Sequence, residues 1–360
     1  MCHHKFLWIS LSLFFLMRNA EAICYINKAD LSSNYVFFSI ENGVYDILHS
    51  DSVATNHAMY LLCDDGTSPI KLVCQPNNRF NVPFPSAGCT KVFKPTVEEI
   101  LDNSCPHTMY RVGYKYSNRF MEVYRSCYDS VNYAAQFSIN KVYPSRESAP
   151  RQDKAFTADR AMTARDAAAY SLSRIYQRFN SVLGPNQNYV SSNPPNPFDH
   201  GHLTPSGDYS FDQFQKATNK LRNVVPQYSN INNGNWKRVE FWVKRLLVRQ
   251  NYDVLKVCTG ALGVQKLANQ NRVPTPMYLL ANNRIPIPEW MYKIVSHISG
   301  QQWVVITHND GITSRRPDPN TICQVIPCDP DLNPSGVGST FCCNPFNFIR
   351  QNVPHLTGVC

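Results

Sequence analysis

The sequence contains no Cys-x-x-Cys pair, no Asn-x-Ser/Thr site and, after its first residues, no apolar run long enough to span a bilayer. The first absence argues against the common structural zinc patterns, which use closely spaced ligand pairs. The second argues against N-linked glycans, and the third against a membrane-spanning helix, which needs about 20 apolar residues. Neither an internal repeat nor a low-complexity tract is visible. The composition, 43% hydrophobic and 17% charged, is typical of a folded globular protein.

Acidic residues are outnumbered by basic ones. The chain of 360 residues has 35 Lys and Arg against 26 Asp and Glu, a formal net charge of +9. This excess favours a polyanionic partner, and charge alone leaves open nucleic acid, a heparin-like polymer and an acidic membrane surface. The length predicts one large domain or two of ordinary size.

Residues 1–22 have the pattern of a signal peptide. Lys5 precedes an apolar stretch at 6–17, and Ala20-Glu21-Ala22 has the small-x-small pattern of a cleavage site. The apolar stretch is too short to span a bilayer. We therefore expect a secreted, extracellular protein with no membrane association.

The cysteines agree with an oxidising compartment. Of the 13 cysteines, Cys2 belongs to the predicted signal peptide, and the other twelve form two groups of six. One group lies between Cys24 and Cys127, and the other between Cys258 and Cys360. An even number in a secreted chain predicts up to six disulfides, whose pairing stays open. The segment between the two groups must be held by packing.

The chain divides into two parts by its local patterns. Short β-branched and aromatic runs at 35–38, 72–73 and 92–93, separated by Asn, Gly and Pro, predict a small β-rich module over residues 23–145. A loop follows at 144–151, and apolar residues at helical spacing within 157–179 then predict a helix with one buried face. We assign residues 150–360 to a second domain.

Three motifs lie close together in the second domain. They are Asp199-His200-Gly201-His202, Asn223-Val224-Val225-Pro226-Gln227 and Asn232-Asn233-Gly234-Asn235-Trp236. After Gly234 the apolar residues have the spacing of an amphipathic helix: Trp236, Val239, Val243, Leu246 and Leu247. An Asn side chain at the start of such a helix either caps backbone NH groups or faces a hard cation.

These motifs, in this order and spacing, resemble those of the DNA/RNA non-specific endonuclease family, especially its secreted animal members. That family has an Asp-Arg-Gly-His signature, an Asn-x-x-Pro-Gln strand and an Asn-x-Gly-x-Trp-x-x-x-Glu helix. Looser similarity at 257–260, 285–295 and 341–343 extends the resemblance over roughly residues 150–360. It implies an α+β fold, with a ββα-metal nuclease core, a mixed antiparallel sheet and helices, preceded by the small β-rich, disulfide-stapled module.

The resemblance also implies roles for individual residues. His202 corresponds to the general base, and Asn232 to the direct protein ligand of Mg²⁺, for which Mn²⁺ substitutes. Glu240 corresponds to a carboxylate that orients metal-bound water, and Asn223 to a residue that helps to position the base and the scissile phosphate. Asp199 is expected to be a structural hydrogen-bond acceptor.

One signature position departs from the family. His200 stands where the family has Arg, whose permanent charge binds phosphate in a bidentate manner, so we expect weaker stabilisation of the transition state. Nucleic-acid binding is not weakened in the same way, because many basic residues surround the motifs. The predicted nucleic-acid-binding residues are Lys216, Lys220, Arg222, Lys237 and Arg238.

Two hypotheses follow. The first is a secreted, Mg²⁺-dependent endonuclease that cleaves single- or double-stranded DNA and RNA with little sequence preference, with activity weakened at His200. The alternative is a secreted, high-affinity nucleic-acid-binding protein with vestigial nuclease activity. A heparin or membrane-surface binder accounts for the charge but leaves the ordered motifs unexplained.

Overall fold

The computed structural model describes residues 23–151, 155–312, 317–332 and 339–360. The predicted signal peptide at 1–22 lies outside the described residues. Within these ranges, no helix has the length and apolar character needed to cross a membrane.

The first part of the chain is β-rich, as its short apolar runs predict. Its one short helix is α1 (Lys28–Leu31) among the described residues. Its strands are β1 (Ile23–Tyr25), β2 (Val36–Glu41), β3 (Val44–Ile47), β4 (Ser52–Ala54), β5 (Ala58–Leu62), β6 (Ile70–Val73), β7 (Thr96–Ile100), β8 (Thr108–Tyr116), β9 (Arg119–Asp129) and β10 (Ala134–Val142). Two of the three predicted runs fall in β2 and β6, whereas 92–93 lies outside the strands.

The rest of the chain alternates short helices and strands. The helices are α2 (Ala164–Ala167), α3 (Leu172–Leu183), α4 (Asp212–Ala217), α5 (Ser229–Ile231), α6 (Lys237–Gln250) and α7 (Pro345–Asn352). The strands are β11 (Phe198–His202), β12 (Val224–Tyr228), β13 (Leu255–Leu262), β14 (Lys266–Ala268), β15 (Pro274–Pro276), β16 (Tyr278–Leu280), β17 (Arg284–Pro286), β18 (Trp290–Ser296), β19 (Gln302–His308), β20 (Val325–Ile326) and β21 (Thr340–Cys343).

The predicted helix at 157–179 is only partly formed. It is replaced by α2, a 3₁₀ turn at Ala168–Tyr170 and α3, because the backbone at Ser171 is extended. The buried face of α3 contains Ile175 and Phe179, as the spacing predicts.

A central sheet joins both parts of the chain. Among the described strands, nine form one sheet in the order β20-β21-β19-β18-β13-β10-β9-β8-β7. Its middle is the antiparallel pair of β10 and β13, which runs from Phe137 opposite Gly260 to Val142 opposite Leu255. The α+β class with antiparallel sheets is therefore confirmed. The division at 145–150 stays a prediction, and the sheet continues across it.

A smaller four-stranded sheet, in the order β3-β2-β5-β6, covers the start of α4. Phe37 of β2 lies with its ring centroid 4.4 Å from that of Phe211, immediately before α4. Both belong to one apolar core, together with Tyr114 and Tyr124 of the central sheet. The N-terminal strands thus support the segment that follows the first motif.

The three motifs form a hairpin followed by a helix. Strands β11 and β12 pair antiparallel from Phe198 opposite Tyr228 to His202 opposite Val224. A π-helical turn at Asn232–Trp236 then leads into α6, which buries Val239, Trp242, Val243, Leu246 and Leu247. This face packs against Val257 and Val295 of the central sheet. The predicted amphipathic helix is thereby confirmed.

The described residues contain six disulfides, which use all twelve cysteines beyond Cys2. The bonds are Cys24–Cys74, Cys63–Cys89, Cys105–Cys127, Cys258–Cys360, Cys323–Cys343 and Cys328–Cys342. Each bond joins two cysteines of the same predicted group, so the intervening segment is held by packing alone, as the cysteine spacing predicts.

Candidate active site

The hairpin sorts the residues of the first motif onto two faces. Because side chains alternate along a strand, His200 and His202 lie on one face of β11, and Asp199 and Gly201 on the other. A Cβ atom at Gly201 would lie 2.5 Å from Cβ and Oε1 of Gln227 on β12. Glycine at this position therefore leaves room for the Gln227 side chain on the face of Asp199, opposite the two histidines.

His202 is held as a neutral imidazole. Burial, the largest cause, lowers its pKa to about 4, against the opposing effect of its hydrogen bond to Asn219. Its Nε2 lies 3.0 Å from Oδ1 of Asn219, so the imidazole NH donates to that amide oxygen. The tautomer that satisfies Asn219 carries its proton on Nε2, which leaves Nδ1 as the basic nitrogen.

His200 is packed between two aromatic rings. Its ring centroid lies 4.3 Å from that of Phe156 and 4.2 Å from that of Tyr170, and both pairs are stacked. Burial lowers the pKa of His200 to about 4, so the ring is uncharged at neutral pH. These are the contacts of a packing residue, and they explain why an imidazole is stable where the family has an always-charged guanidinium.

Asp199 organises the start of the helix. Its carboxylate accepts hydrogen bonds from Ser229 Oγ at 2.7 Å, Asn232 Nδ2 at 2.8 Å and Asn233 Nδ2 at 2.9 Å. The expected structural role of Asp199 is confirmed. The alternative that these two asparagines cap the helix is wrong, because their amides donate to Asp199 and α6 has no side-chain cap.

The amide oxygen of Asn232 fits a hard cation. With Nδ2 bound to Asp199, Oδ1 is left without a hydrogen-bond donor among the described residues. The buried carboxamide of Gln227 has no hydrogen-bond partner for either polar atom within the described ranges, and such a group usually faces ordered water. No cluster of three His, Cys, Asp or Glu side chains suited to a metal occurs in the described part of the chain. Oxygen and water ligands fit Mg²⁺, which keeps most of its water.

Glu240 lies on the first turns of α6 and is half-buried. Burial raises its pKa to about 7, and the charge of Lys293 opposes that rise most strongly. Lys293 is itself 1% exposed, and its Nζ donates to Thr259 Oγ1 at 2.6 Å. The sequence predicts no role for Lys293. In the sequence, Lys293 is marked only as the single charged residue of the mostly apolar strand β18.

The Asn223 side chain joins two backbone segments by hydrogen bonds. The side chain is fully buried; Oδ1 accepts from the Thr204 NH, and Nδ2 donates to the carbonyls of Thr204 and Thr218, each at 2.9 Å. The amide thus fixes the segment after His202 to the segment that carries Asn219. Its predicted contact with substrate stays a prediction, and both NH donors of its amide are already used by backbone carbonyls.

Arg151 lies close to both His202 and Glu240. Burial is the largest cause of both pKa shifts, and the positive charge of Arg151 is a smaller cause that lowers the pKa of His202 and that of Glu240. It lines a small cleft with Asp208, Glu240, Phe241 and Lys244. The sequence places Arg151 only in a loop, and no motif marks it.

The five predicted nucleic-acid-binding residues have different surroundings. Lys237 and Arg238 are exposed on α6, and Lys216 is half-buried in an ion pair with Asp212. The other two predictions, Lys220 and Arg222, are wrong, because their side chains are only 5% and 4% exposed.

The two buried cations have internal partners. Lys220 forms an ion pair with Asp159 at 2.9 Å, and Arg222 donates to the carbonyl of Asp159 at 2.9 Å. The Arg222 guanidinium also lies 4.2 Å from the ring centroid of Tyr110 and 5.7 Å from that of Tyr128. Both charges therefore have partners inside the protein.

Comparison with known proteins gives one family. Residues 105–346 match the DNA/RNA non-specific endonuclease family. A salivary endonuclease of Lutzomyia longipalpis is 28% identical over 255 residues, which cover 68% of this chain and 61% of the relative. The mitochondrial nuclease EXOG of Mus musculus is 25% identical over 111 residues, 31% of this chain and 28% of that protein. The chain thus spans less than two thirds of these relatives.

A solved structure is also similar in part. The EndoG/EndoGI complex, described as showing the mechanism of EndoG inhibition, contains a chain that is 19% identical with a TM-score of 0.38. The similarity covers 55% of this chain and 76% of that chain.

Proposed function

The chain belongs to the DNA/RNA non-specific endonuclease family, and on that premise we propose that it is a secreted, Mg²⁺-dependent endonuclease that hydrolyses phosphodiester bonds in DNA and RNA. The observation that carries the proposal is that Arg151 and Glu240 line one small cleft, where the charge of Arg151 also reaches His202. We infer that a neutral base, a carboxylate and a phosphate-binding cation act together at this cleft.

His202 is proposed as the general base. With its pKa at about 4 it is uncharged at neutral pH, and Nδ1 is free to take a proton from the attacking water. A base with so low a pKa is weak in the free enzyme. The negative charge of a bound phosphate raises that pKa, so the histidine becomes a stronger base when substrate is present.

Asn232 is proposed to hold Mg²⁺ through Oδ1, in the orientation that Asp199 imposes. When bound, the metal supplies positive charge that stabilises the phosphate oxygens and the leaving oxygen. Glu240 is proposed to orient water, and the nearby Lys293 charge favours its ionised form.

Arg151 is proposed to supply the phosphate-binding charge that His200 lacks. His200 is uncharged and packed between two rings, whereas Arg151 is exposed beside the cleft. A guanidinium there can bind the phosphate in a bidentate manner. Secretion is supported by the six disulfides and by similarity to a protein named as salivary.

A direct assay tests the proposal. Purified protein is incubated with supercoiled plasmid and with double-stranded RNA, with Mg²⁺ or with chelator, and with His202→Ala as the matched control. We expect internal cleavage by the wild type only with metal, and products with 5′-phosphate ends. Tight, salt-dependent binding of both polymers without metal-dependent cleavage would instead support the binding-protein hypothesis, which the uncharged His200 favours.

A further inference from the structure

One exposed stripe of α6 combines an aromatic ring with cations. Lys237, Phe241, Lys244 and Val248 follow one another at spacings of four, three and four residues, so they lie along one side of the helix. We call this set the Phe241 stripe. Phe241 is 48% exposed and Val248 is 72% exposed, although large apolar side chains are normally buried.

The ring lies between two lysines at the edge of the cleft. The Nζ of Lys237 is 5.9 Å from the ring centroid of Phe241, and Lys244 lies about one helical turn beyond it. Lys244 Nζ also donates to the carbonyl of Gly207. Phe241 and Lys244 line the same cleft as Glu240 and Arg151. An apolar ring flanked by positive charges therefore borders the proposed site of hydrolysis.

We propose that Phe241 is a stacking platform for an unpaired nucleobase, so that the protein binds single-stranded DNA and RNA in preference to intact duplex. The proposal rests on the proposed function, because it places the strand being cleaved at this cleft. Aromatic side chains stack on bases of any sequence, while neighbouring cations bind the backbone phosphates. In an intact duplex both faces of each base are already stacked, and opening one requires unstacking.

The charges around the ring select this occupant. Lys237 and Lys244 flank Phe241 on its own helix, and Arg151 lies across the cleft. These three cations outnumber the two carboxylates that line the cleft, Asp208 and Glu240. A second copy of the chain docking through this stripe would bring like charges together, which disfavours association. A polyanion with exposed ring faces is complementary to both the charge and the apolar ring.

Phe346 provides a matched control. It is 69% exposed, and the Arg350 guanidinium lies 5.4 Å from its ring centroid. It belongs to α7, which packs against Cys258 and Ile294, whereas α6 packs against the alternate residues Val257 and Val295. The two helices therefore cover opposite faces of the central sheet, so Phe346 has a similar local setting away from the cleft.

The test compares single-stranded DNA, the same sequence as a hairpin duplex, and an abasic deoxyribose-phosphate oligomer of equal length. Binding is measured by fluorescence anisotropy in chelator, so no turnover occurs. Phe241→Ala should weaken binding of the single strand by about fivefold to a hundredfold. It should leave the abasic oligomer and the salt dependence unchanged, because no phosphate contact is lost. Phe241→Trp should retain the binding, and Phe346→Ala should bind as wild type does.

Three results with Phe241→Ala would overturn the inference. They are an equal loss of affinity for the single strand and the abasic oligomer, no loss of affinity for the single strand, or a change from a wild-type dimer to a monomer in light scattering. Phe241→Leu provides a second apolar replacement without an aromatic ring if the alanine variant folds poorly. Failure of the proposed function can be distinguished from failure of the stacking proposal. In the first case, wild type would cleave neither DNA nor RNA with Mg²⁺, and the binding comparison in chelator would still test stacking.

Discussion

Asn232 Nδ2 donates a hydrogen bond to Asp199 Oδ2 at 2.8 Å, which ties the start of the helical segment to the first strand of the hairpin. An asparagine amide offers a donor and an acceptor side, and this bond uses the donor side. The carboxylate of Asp199 thus selects the amide orientation in which the oxygen is available to a cation.

The first prediction concerns metal affinity. Asn232→Ala removes the proposed ligand, and Asp199→Ala removes the group that orients it, so both should raise the Mg²⁺ concentration for half-maximal cleavage by about tenfold to a hundredfold. The measurement is cleavage rate against Mg²⁺ concentration. Asn230→Ala is the control, because Asn230 donates to the Gly311 carbonyl outside this contact. An unchanged Mg²⁺ requirement in Asn232→Ala would refute its assignment as the ligand.

The second prediction separates chemistry from binding at His202. His202→Ala removes a proton acceptor but no positive charge, so cleavage should fall by about 10² to 10⁴ with nucleic-acid affinity nearly intact. Single-turnover cleavage and anisotropy in chelator measure the two quantities. Loss of binding by a folded His202→Ala protein would show that the residue binds substrate or supports structure.

The third prediction concerns the charge that His200 lacks. Arg151→Ala should reduce the cleavage rate by about 10² to 10³, the usual effect of removing a group that stabilises transition-state charge. Adding His200→Arg should recover part of the loss, because a guanidinium can stack between Phe156 and Tyr170. Arg119→Ala, at an exposed end of β9, is the control. Equal rates for Arg151→Ala and wild type would contradict the assignment.

The fourth prediction is a pH dependence of stability. Burial lowers the folded-state pKa of both His200 and His202 from 6.5 to about 4. Below about pH 6.5 the unfolded chain binds protons that the folded chain does not, so stability present above that pH is lost as pH falls toward 4. His200→Phe keeps a stacked ring without a titrating group. Its urea midpoint should therefore fall less than that of wild type between pH 7 and pH 5, and equal falls would contradict this prediction.

The fifth prediction separates buried from exposed cations. Arg222→Ala leaves a gap between Tyr110 and Tyr128 and frees the Asp159 carbonyl, so it should lower the free energy of unfolding by about 3 kcal/mol. Lys237→Ala should leave stability unchanged and reduce the salt slope of binding by about one. Urea denaturation and binding at several salt concentrations measure these effects. A stable Arg222→Ala protein with a reduced salt slope would reverse the assignment.

The sequence predicts those features that depend on neighbouring residues. The spacing after Gly234 predicts α6, and the even cysteine set predicts the six disulfides. Burial of Lys220 and Arg222 could not be predicted in this way, because Asp159 and Tyr110 lie far away in the sequence and meet them only in the folded protein. Arg151 is a similar case. Its position beside His202 and Glu240 comes from tertiary packing, and no local pattern encodes it.

The pairing of β10 with β13 determines which pieces of the chain can be produced separately. Val142 pairs with Leu255, 113 residues later, so this part of the sheet closes only after the hairpin and α6 have been synthesised. A fragment beginning at residue 150 has no β10 and leaves the backbone groups of β13 unpaired along that side. An uncovered strand of this kind is a template for intermolecular pairing. Expression of residues 150–360 alone should therefore yield aggregates, and this fragment should become soluble only when a piece of the chain that contains β10 is supplied.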